Sequence, residues 1–543
     1  MQNRSTQGLV FVLILVLAIL VWLDAPGWLL LILFLLLLGL VGGLMGEERP
    51  SPPTEPPEPS RQEYPPEEFY VQDQVIVSGP AAQVAAAVQA AEAIIRPEPL
   101  RRITFGALDA DTRICLNDCA DGDFADFVIN LYQLSGSEAA VAAAIAAINR
   151  AVGRGSAVRA EPNWLSGHPW DPTGSPWDPT GSPWDPTGSS GADSQSAPPE
   201  LFLKQWALQQ IELSGARPPG SGRGVRIGVF DTSPYDDRLV MAGSHRALDW
   251  VTEPAPLSIQ LANYPVPAID NAQKDLSNHG VFAAGLAHAV APAADIHLIR
   301  VLNRNNKGDL FSLNQALFDF VKANAPGQRP SDIIGAVINL SLGIRVPPDE
   351  AGFNLPVGVQ SLRDILRAAQ CAKIVVVAAA GNDSANLPQP EPANLPANWS
   401  PIIGVAGSNY EQGRGCFSNR GDLAAPGGDG RPDPTNPTHF IPANDVCGGQ
   451  DCPTAVIGPV IKTDSNTGFA YWSGTSFATP LVSGLAALVI ERGGGQLSPP
   501  EVRQIIECGL TAVTDPHLGK GIINVRQTLD QCAPYQVKAG SSD

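Results

Sequence analysis

The stretch "WSGTSFATPLVSGLAAL" (472–488) sets four hydroxyl side chains, Ser473, Thr475, Ser476 and Thr479, at the start of a run of small apolar residues. Pro480 suits the first turn of a helix, and Leu481, Leu485 and Leu488 recur at helical spacing. Ser476 is therefore expected just before or at a helix N-terminus. Free backbone N–H groups and the helix dipole favour negative charge there, and a hydroxyl attacking a carbonyl must generate negative charge close by. Taken alone, the stretch reads more readily as a capped helix, with Ser476 or Thr479 as the cap. A serine nucleophile needs a base, and the base needs an acid to fix its tautomer. Of seven histidines, His279 opens "NHGVFAAGLAHAVAP" (278–292), which is polar at its start and then helical. His288, nine residues on, falls on a different helical face and reads as structural. Asp231 ends the apolar strand "VRIGVFD" (225–231).

These residues need a scaffold. "DIHLIRVL" (295–302), "GAVINLSLG" (335–343), "KIVVVAAAGN" (373–382) and "PIIGVAG" (401–407) are further near-continuous apolar strands. Helical stretches such as 310–325 and 358–370 lie between them. That alternation predicts an α/β fold, a doubly wound, mostly parallel sheet covered on both faces. In such sheets functional residues gather at the carboxyl ends of strands, where Asp231 and Asn382 both fall.

Four segments resemble the hallmark blocks of the subtilisin-like serine proteases (subtilases). They are "GVRIGVFDTS" around Asp231, "NHGVFAAGLAHAVAP" around His279, "VVVAAAGN" ending at Asn382 and "SGTSFATPLVSGLAAL" around Ser476. "INLSLG" (338–343) and "SNRGDLAAPGG" (418–428) are similar to further family blocks, and the resemblance covers about residues 200–530. It implies a serine endopeptidase in which Ser476 is the nucleophile, His279 the base, Asp231 its orienting acid and Asn382 an oxyanion donor. It also implies that Leu340, Ser341, Leu342 and Gly343 form an edge on which substrate backbone pairs. Catalysis would require no cofactor, with structural calcium frequent in the family. Two positions depart from the family pattern: Thr-Ser follows Asp231 where Thr-Gly or Ser-Gly is usual, and Val281 stands where Thr is usual.

The preceding chain divides by composition. Residues 9–45 hold two uncharged apolar runs, 8–23 and 28–45, separated by "DAPG", and are expected to attach the chain to a membrane. With one span as an anchor the catalytic region would be extracytoplasmic. If both runs span as a hairpin, it returns to the side on which the chain starts. Residues 46–67 are a Pro-rich acidic spacer. Residues 69–165 read as β-α-β-β-α-β, a small ferredoxin-like α+β domain. "PWDPTGS" then repeats three times over 169–189, within an exposed linker assigned to 166–200. The catalytic domain is assigned to 201–535. "AVRAEPNW" (157–164) resembles the end of a subtilase propeptide, and "FLKQWALQQIELSGA" (202–216) the start of a mature enzyme. The resemblance thus implies a membrane-attached zymogen whose propeptide acts as intramolecular chaperone and inhibitor. It would cut itself in the linker, after which the mature domain is released.

A net charge of −19 excludes nucleic acid as a partner, because phosphate binding needs a Lys/Arg surplus. The expected partners are protein or peptide substrates, the chain's own propeptide and the membrane. Cys115/Cys119 and Cys447/Cys452 are close pairs without His at zinc spacing, expected to be local disulfides or free thiols rather than metal ligands. Residues 429–470 read as an insertion. Two rivals remain: a membrane-tethered binding protein on an inactive protease fold, and an α/β-hydrolase esterase. The esterase requires G-x-S-x-G with Ser ahead of His, whereas Ser476 lies in G-T-S-F-A after His279.

Overall fold

Near-continuous apolar runs need cover on both faces, and the central sheet provides it. The structure, a computed structural model, describes residues 69–532 apart from 121–122, 136–140, 154, 168–195, 198, 214–219, 236–243, 268–275, 345–358, 385–386, 388, 433–439, 443–454 and 462–466. The apolar runs at 9–45, the spacer, the repeats and the Cys447/Cys452 loop lie outside the described residues. Among the described residues no helix is long and apolar enough to cross a membrane.

Four strands form the small N-terminal sheet: β1 (Tyr70–Pro80), β2 (Arg101–Thr104), β3 (Phe127–Gln133) and β4 (Arg159–Gly167). Its order is β4-β1-β3-β2, all antiparallel, the order of a split βαβ unit. Helices α1 (Ala81–Ala90) and α3 (Val141–Val152) pack on it and on each other. A helix absent from the expected order, α2 (Ala110–Ala120), stands between β2 and β3. It is poorly amphipathic, with only Thr112 and Leu116 buried, but the Asp109 carboxylate accepts from the Thr112 N–H at 3.0 Å and starts it. The second strand of the expected order stops at Thr104, and the chain turns tightly over Phe105–Ala107.

After β5 (Ser196–Ala197) and the short α4 (Trp206–Gln210), the central sheet begins with β6 (Val225–Asp231), β7 (Ser244–Leu248) and β8 (Leu257–Asn263). Helix α5 (His279–Val290) leads to β9 (Asp295–Arg300) and the short β10 (Lys307–Asp309). Helix α6 (Leu310–Asn324), β11 (Gly335–Leu340), β12 (Gly343–Ile344) and α7 (Gln360–Cys371) follow. Then come β13 (Ile374–Ala379), β14 (Ile403–Ser408) and β15 (Leu423–Pro426). The sheet order is β15-β14-β13-β11-β6-β9-β8-β7, parallel except for the edge pair β7–β8. Every residue of β11, β13 and β14 is buried, which explains their unbroken apolar sequences.

Alternation along β6 assigns the two faces. Val225, Ile227 and Val229 join one core with α5 and α8 (Thr475–Arg492), while Phe230 meets Phe320 of α6 edge-on at 5.6 Å. Strands β16 (Gly430–Pro432) and β17 (Phe440–Pro442) pair with each other. Hairpin β18 (Val456–Ile461) and β19 (Thr467–Trp472) takes β5 as its third strand. Helices α9 (Pro499–Cys508) and α10 (Val525–Gln531) close the fold, joined by the Cys508–Cys532 disulfide.

The small sheet also packs against this larger body. Strand β4 lies antiparallel between β10 and β12, with Gly167 opposite both Lys307 and Gly343. Glu161 and Asn163, two residues apart on β4, each cap a different helix. The Glu161 carboxylate accepts from the Gln360 and Ser361 N–H groups at 2.7 and 2.9 Å, at the start of α7. Asn163 Oδ1 accepts from the Phe311 N–H of α6 at 2.9 Å. Neither residue of the Cys115/Cys119 pair bonds to the other. Cys115 on α2 is bonded to Cys371 at the end of α7, and Cys119 is a free, exposed thiol.

Candidate active site

Asp231 is the last residue of β6 and is fully buried. The next residue, Thr232, ties this strand end to the start of α5. Its hydroxyl donates to the Leu276 carbonyl at 2.8 Å and accepts from the Gly280 N–H at 3.3 Å. Gly280 permits that approach, because a Cβ there would lie 2.3 Å from the Thr232 carbonyl oxygen. His279, first residue of α5, is thereby set against Asp231. Its Nδ1 lies 2.8 and 2.9 Å from the two carboxylate oxygens, with both side chains almost wholly buried. A carboxylate in that place accepts a hydrogen bond from Nδ1–H, which keeps the proton on Nδ1 and leaves Nε2 as the basic nitrogen. The family-atypical Ser233 makes a local turn, its hydroxyl accepting from the Tyr235 N–H at 3.3 Å, and Val281 is absorbed into the apolar core.

Helix α8 begins at Thr475, so Ser476 is its second residue and Pro480 sits in the second turn rather than the first. The shift has a chemical consequence. A residue at 480 would normally donate its N–H to the carbonyl of residue 476, and proline has none to give. Ser341 takes that place: its hydroxyl donates to the Ser476 carbonyl at 2.7 Å. In return the Ser476 hydroxyl donates to the Ser341 carbonyl at 3.1 Å. Ser341 is held by the Asn339 amide at 3.0 Å, whose oxygen accepts from the Ser483 hydroxyl at 2.9 Å. All four residues are buried.

Asn382 follows β13 and Gly381. Its side-chain oxygen accepts from both the N–H and the hydroxyl of Thr475, at 3.0 and 2.9 Å. That fixes the amide orientation and leaves the NH2 group as the donor, beside Gly474. Leu340 closes β11 inside the central sheet, between β6 and β13, so the pairing edge begins only at Gly343. Leu342, between them, is fully buried.

Sequence reasoning passed over an aromatic cluster around the imidazole. Trp472 meets the His279 ring edge-on at 5.3 Å, and Phe477 lies 4.8 Å from it. Phe282 touches both aromatics, at 5.5 and 4.6 Å. Phe477 adjoins Ser476 in sequence, so its ring contact brings α8 and the imidazole together. The signal available was Trp472 and Phe477 flanking the hydroxyl cluster. Thr475 was legible only as one of the four hydroxyl residues at a helix start. Among the described residues, no group of three or more His, Cys, Asp or Glu is placed to hold a metal.

The geometry belongs to a known class. The model of the subtilase family matches residues 222–521, and the chain belongs to that family of serine proteases, which need no cofactor for catalysis. The minor extracellular protease Epr of Bacillus subtilis is 27% identical over 343 residues, 60% of this chain and 41% of that one. Thermitase of Thermoactinomyces vulgaris is 25% identical over 341 residues, covering 60% of this chain and 96% of thermitase. The match thus spans less than half of Epr, and likewise only 47% of a thermophilic serine proteinase from Bacillus sp. strain AK1. The crystal structure of fervidolysin from Fervidobacterium pennivorans, described as a keratinolytic enzyme related to subtilisin, shares the fold. It aligns with a TM-score of 0.51 and 17% identity over 86% of this chain and 62% of its own.

Proposed function

We propose that this chain is a serine endopeptidase made as a self-inhibited precursor. The observation that carries the reading is the buried contact of His279 Nδ1 with both Asp231 oxygens, beside a helix whose second residue is Ser476 and whose third, Phe477, lies against the imidazole. His279 Nε2 takes the Ser476 hydroxyl proton as the oxygen attacks the peptide carbonyl, then delivers that proton to the leaving amine. Water repeats the cycle on the acyl-enzyme. Asp231 stabilises the imidazolium. The developing oxyanion accepts from the Asn382 NH2 and from the Ser476 N–H in the first turn of α8. Substrates are proteins or peptides whose backbone pairs along Gly343–Ile344 and Lys307–Asp309.

The N-terminal sheet acts as propeptide and inhibitor, since β4 already fills the groove between those two strands. Its register sets Gly167 opposite Gly343, two residues from Ser341, so self-cleavage falls early in the linker. Residues 9–45 attach the precursor to a membrane, and cutting the linker severs the peptide connection between that anchor and the catalytic region. With one span the catalytic region lies outside the cytoplasm; with two it lies on the face where the chain starts.

A fluorophosphonate probe tests the chemistry. Wild-type protein should be labelled, and Ser476→Ala should be unlabelled and should accumulate uncut. Equal absence of label from both proteins would favour the inactive, partner-holding rival. Trimming of Ser476→Ala between residues 165 and 205 as fast as wild type would instead assign processing to another protease. N-terminal sequencing of the purified wild type locates the cut.

A further inference from the structure

We propose that the Cys115–Cys371 disulfide is a site of thiol–disulfide exchange that locks the N-terminal sheet in the cleft, so that a dithiol reductant, and not linker cleavage alone, opens the enzyme. The inference rests on the reading of that sheet as inhibitor. Cys115 lies on α2 of the small sheet and Cys371 ends α7 of the catalytic region, their Cα atoms 5.6 Å apart and 256 residues apart in sequence. The chain path between the two regions runs through 168–195, which is where the cut is placed. Cutting there severs the peptide connection but leaves the sulfur–sulfur bond. The other described disulfide, Cys508–Cys532, closes only 24 residues within one region and has no such consequence.

The bond and the contacts of β4 share one helix. Glu161 of β4 caps the first turn of α7 and Cys371 ends it, while Leu165–Gly167 of β4 lie in the groove. A fragment so tethered stays at an effective concentration of about 1 mM around its own binding groove. Any affinity tighter than that keeps the cleft occupied after the cut, whatever the dilution. Both cysteines are partly exposed, so a thiolate can reach the sulfurs. One thiolate of the reductant attacks one sulfur and forms a mixed disulfide, and its second thiol resolves it. The reductant becomes a disulfide, and Cys115 and Cys371 become thiols, with two electrons and two protons transferred. Disulfides persist in oxidising compartments, so the cut but unreduced protein would remain latent there.

The test uses the full chain purified without reductant. Mass spectrometry of a non-reduced digest should find the Cys115 peptide joined to the Cys371 peptide. On a denaturing gel the processed protein should run as one species without dithiothreitol and as two with it. Dithiothreitol should raise hydrolysis of a fluorogenic peptide by about tenfold or more, the change expected when some 1.4 kcal/mol of inhibition is lifted. Cys371→Ser should be active at the raised level without reductant and should not respond to it. A response that persists in Cys371→Ser would implicate another disulfide, Cys508–Cys532 or a Cys447/Cys452 bond, and overturn the lock. So would two species on the non-reducing gel, or equal hydrolysis by wild type and Cys371→Ser with and without dithiothreitol. Hydrolysis absent from every form, Cys371→Ser included, would sink the protease reading instead, and the gating with it.

Discussion

The two sheets of this protein bury their faces by different means. The central sheet is parallel, and its own crossover helices cover it: α5 and α8 on one face, α6 and α7 on the other. The small sheet is antiparallel and has helices α1 and α3 of its own, yet β3 and β4 are buried almost throughout. Its second face is covered by α6 and α7, elements of the neighbouring region. Phe105 meets Phe318 of α6 at 5.4 Å, and Arg101 stacks on Phe311 at 4.9 Å while donating to the Ser312 hydroxyl. An antiparallel sheet commonly leaves one face to water. A sheet that does not, and that buries Glu161 and Asn163 at helix starts, is shaped for a partner surface. The central sheet holds the chemistry; the small one is complementary to it.

That contrast can be broken from either side. The largest effect should come from the central sheet: His279→Ala should lower kcat by roughly 10⁶-fold, the scale found when subtilisin loses a triad member that acts with its serine. Steady-state turnover of a fluorogenic peptide measures it, with the linker of both proteins cut by an added protease and the protein then reduced. Asn382→Ala should cost about 10²–10³ in kcat with KM little changed, again the magnitude known for the single oxyanion donor of subtilisin. A large rise in KM instead would make Asn382 a substrate-binding residue.

The small sheet should respond in docking and not in chemistry, so its variants are best read in a Ser476→Ala background by hydrogen exchange along β4. Glu161→Ala leaves the Gln360 and Ser361 N–H groups without their acceptor and should weaken docking by about 1–3 kcal/mol. Gly167→Val should speed exchange by a smaller but measurable factor, about tenfold, because a Cβ at 167 would lie 2.4 Å from the Asn306 carbonyl oxygen. Unchanged β4 protection in both variants would mean that the small sheet stands without its neighbour.

The smallest effect is pH-dependent. Burial outweighs the hydrogen bonds to Glu161 and raises its carboxyl from 4.5 to about 7; burial likewise raises Asp364, on α7, to about 6. The docked state thus binds more protons than the undocked one between about 4.5 and 7. Docking should strengthen as pH falls through that window and weaken as pH rises. Glu161→Gln should flatten the β4 exchange profile between pH 5 and 8; a profile as steep as in the parent would assign the dependence elsewhere.

The sequence carried most of the central sheet, because strands covered on both faces cannot hide their composition: β6 occupies 225–231 as expected, and α6 and α7 fall within two residues of their expected bounds. Asp231, His279, Asn382 and Ser476 were named from strand ends, a helix start and family blocks. What stayed hidden depends on distant partners. Helix α2 lacks an apolar stripe, since Leu116 is the one apolar residue it buries completely, and no local rule joins Cys115 to a cysteine 256 residues away. The hairpin β18–β19 and the roles of Trp472 and Phe477 became visible only when α5 and α8 were side by side. Leu340 and Gly343 read as one edge, whereas the chain leaves the sheet between them, at Ser341 and Leu342.

Pro480 has a mechanical consequence. By withholding one amide, it hands the carbonyl of Ser476 to Ser341, a residue of the groove wall. In the proposed mechanism, the attacking residue is thereby tied to the surface that receives the peptide and not solely to the helix that carries it.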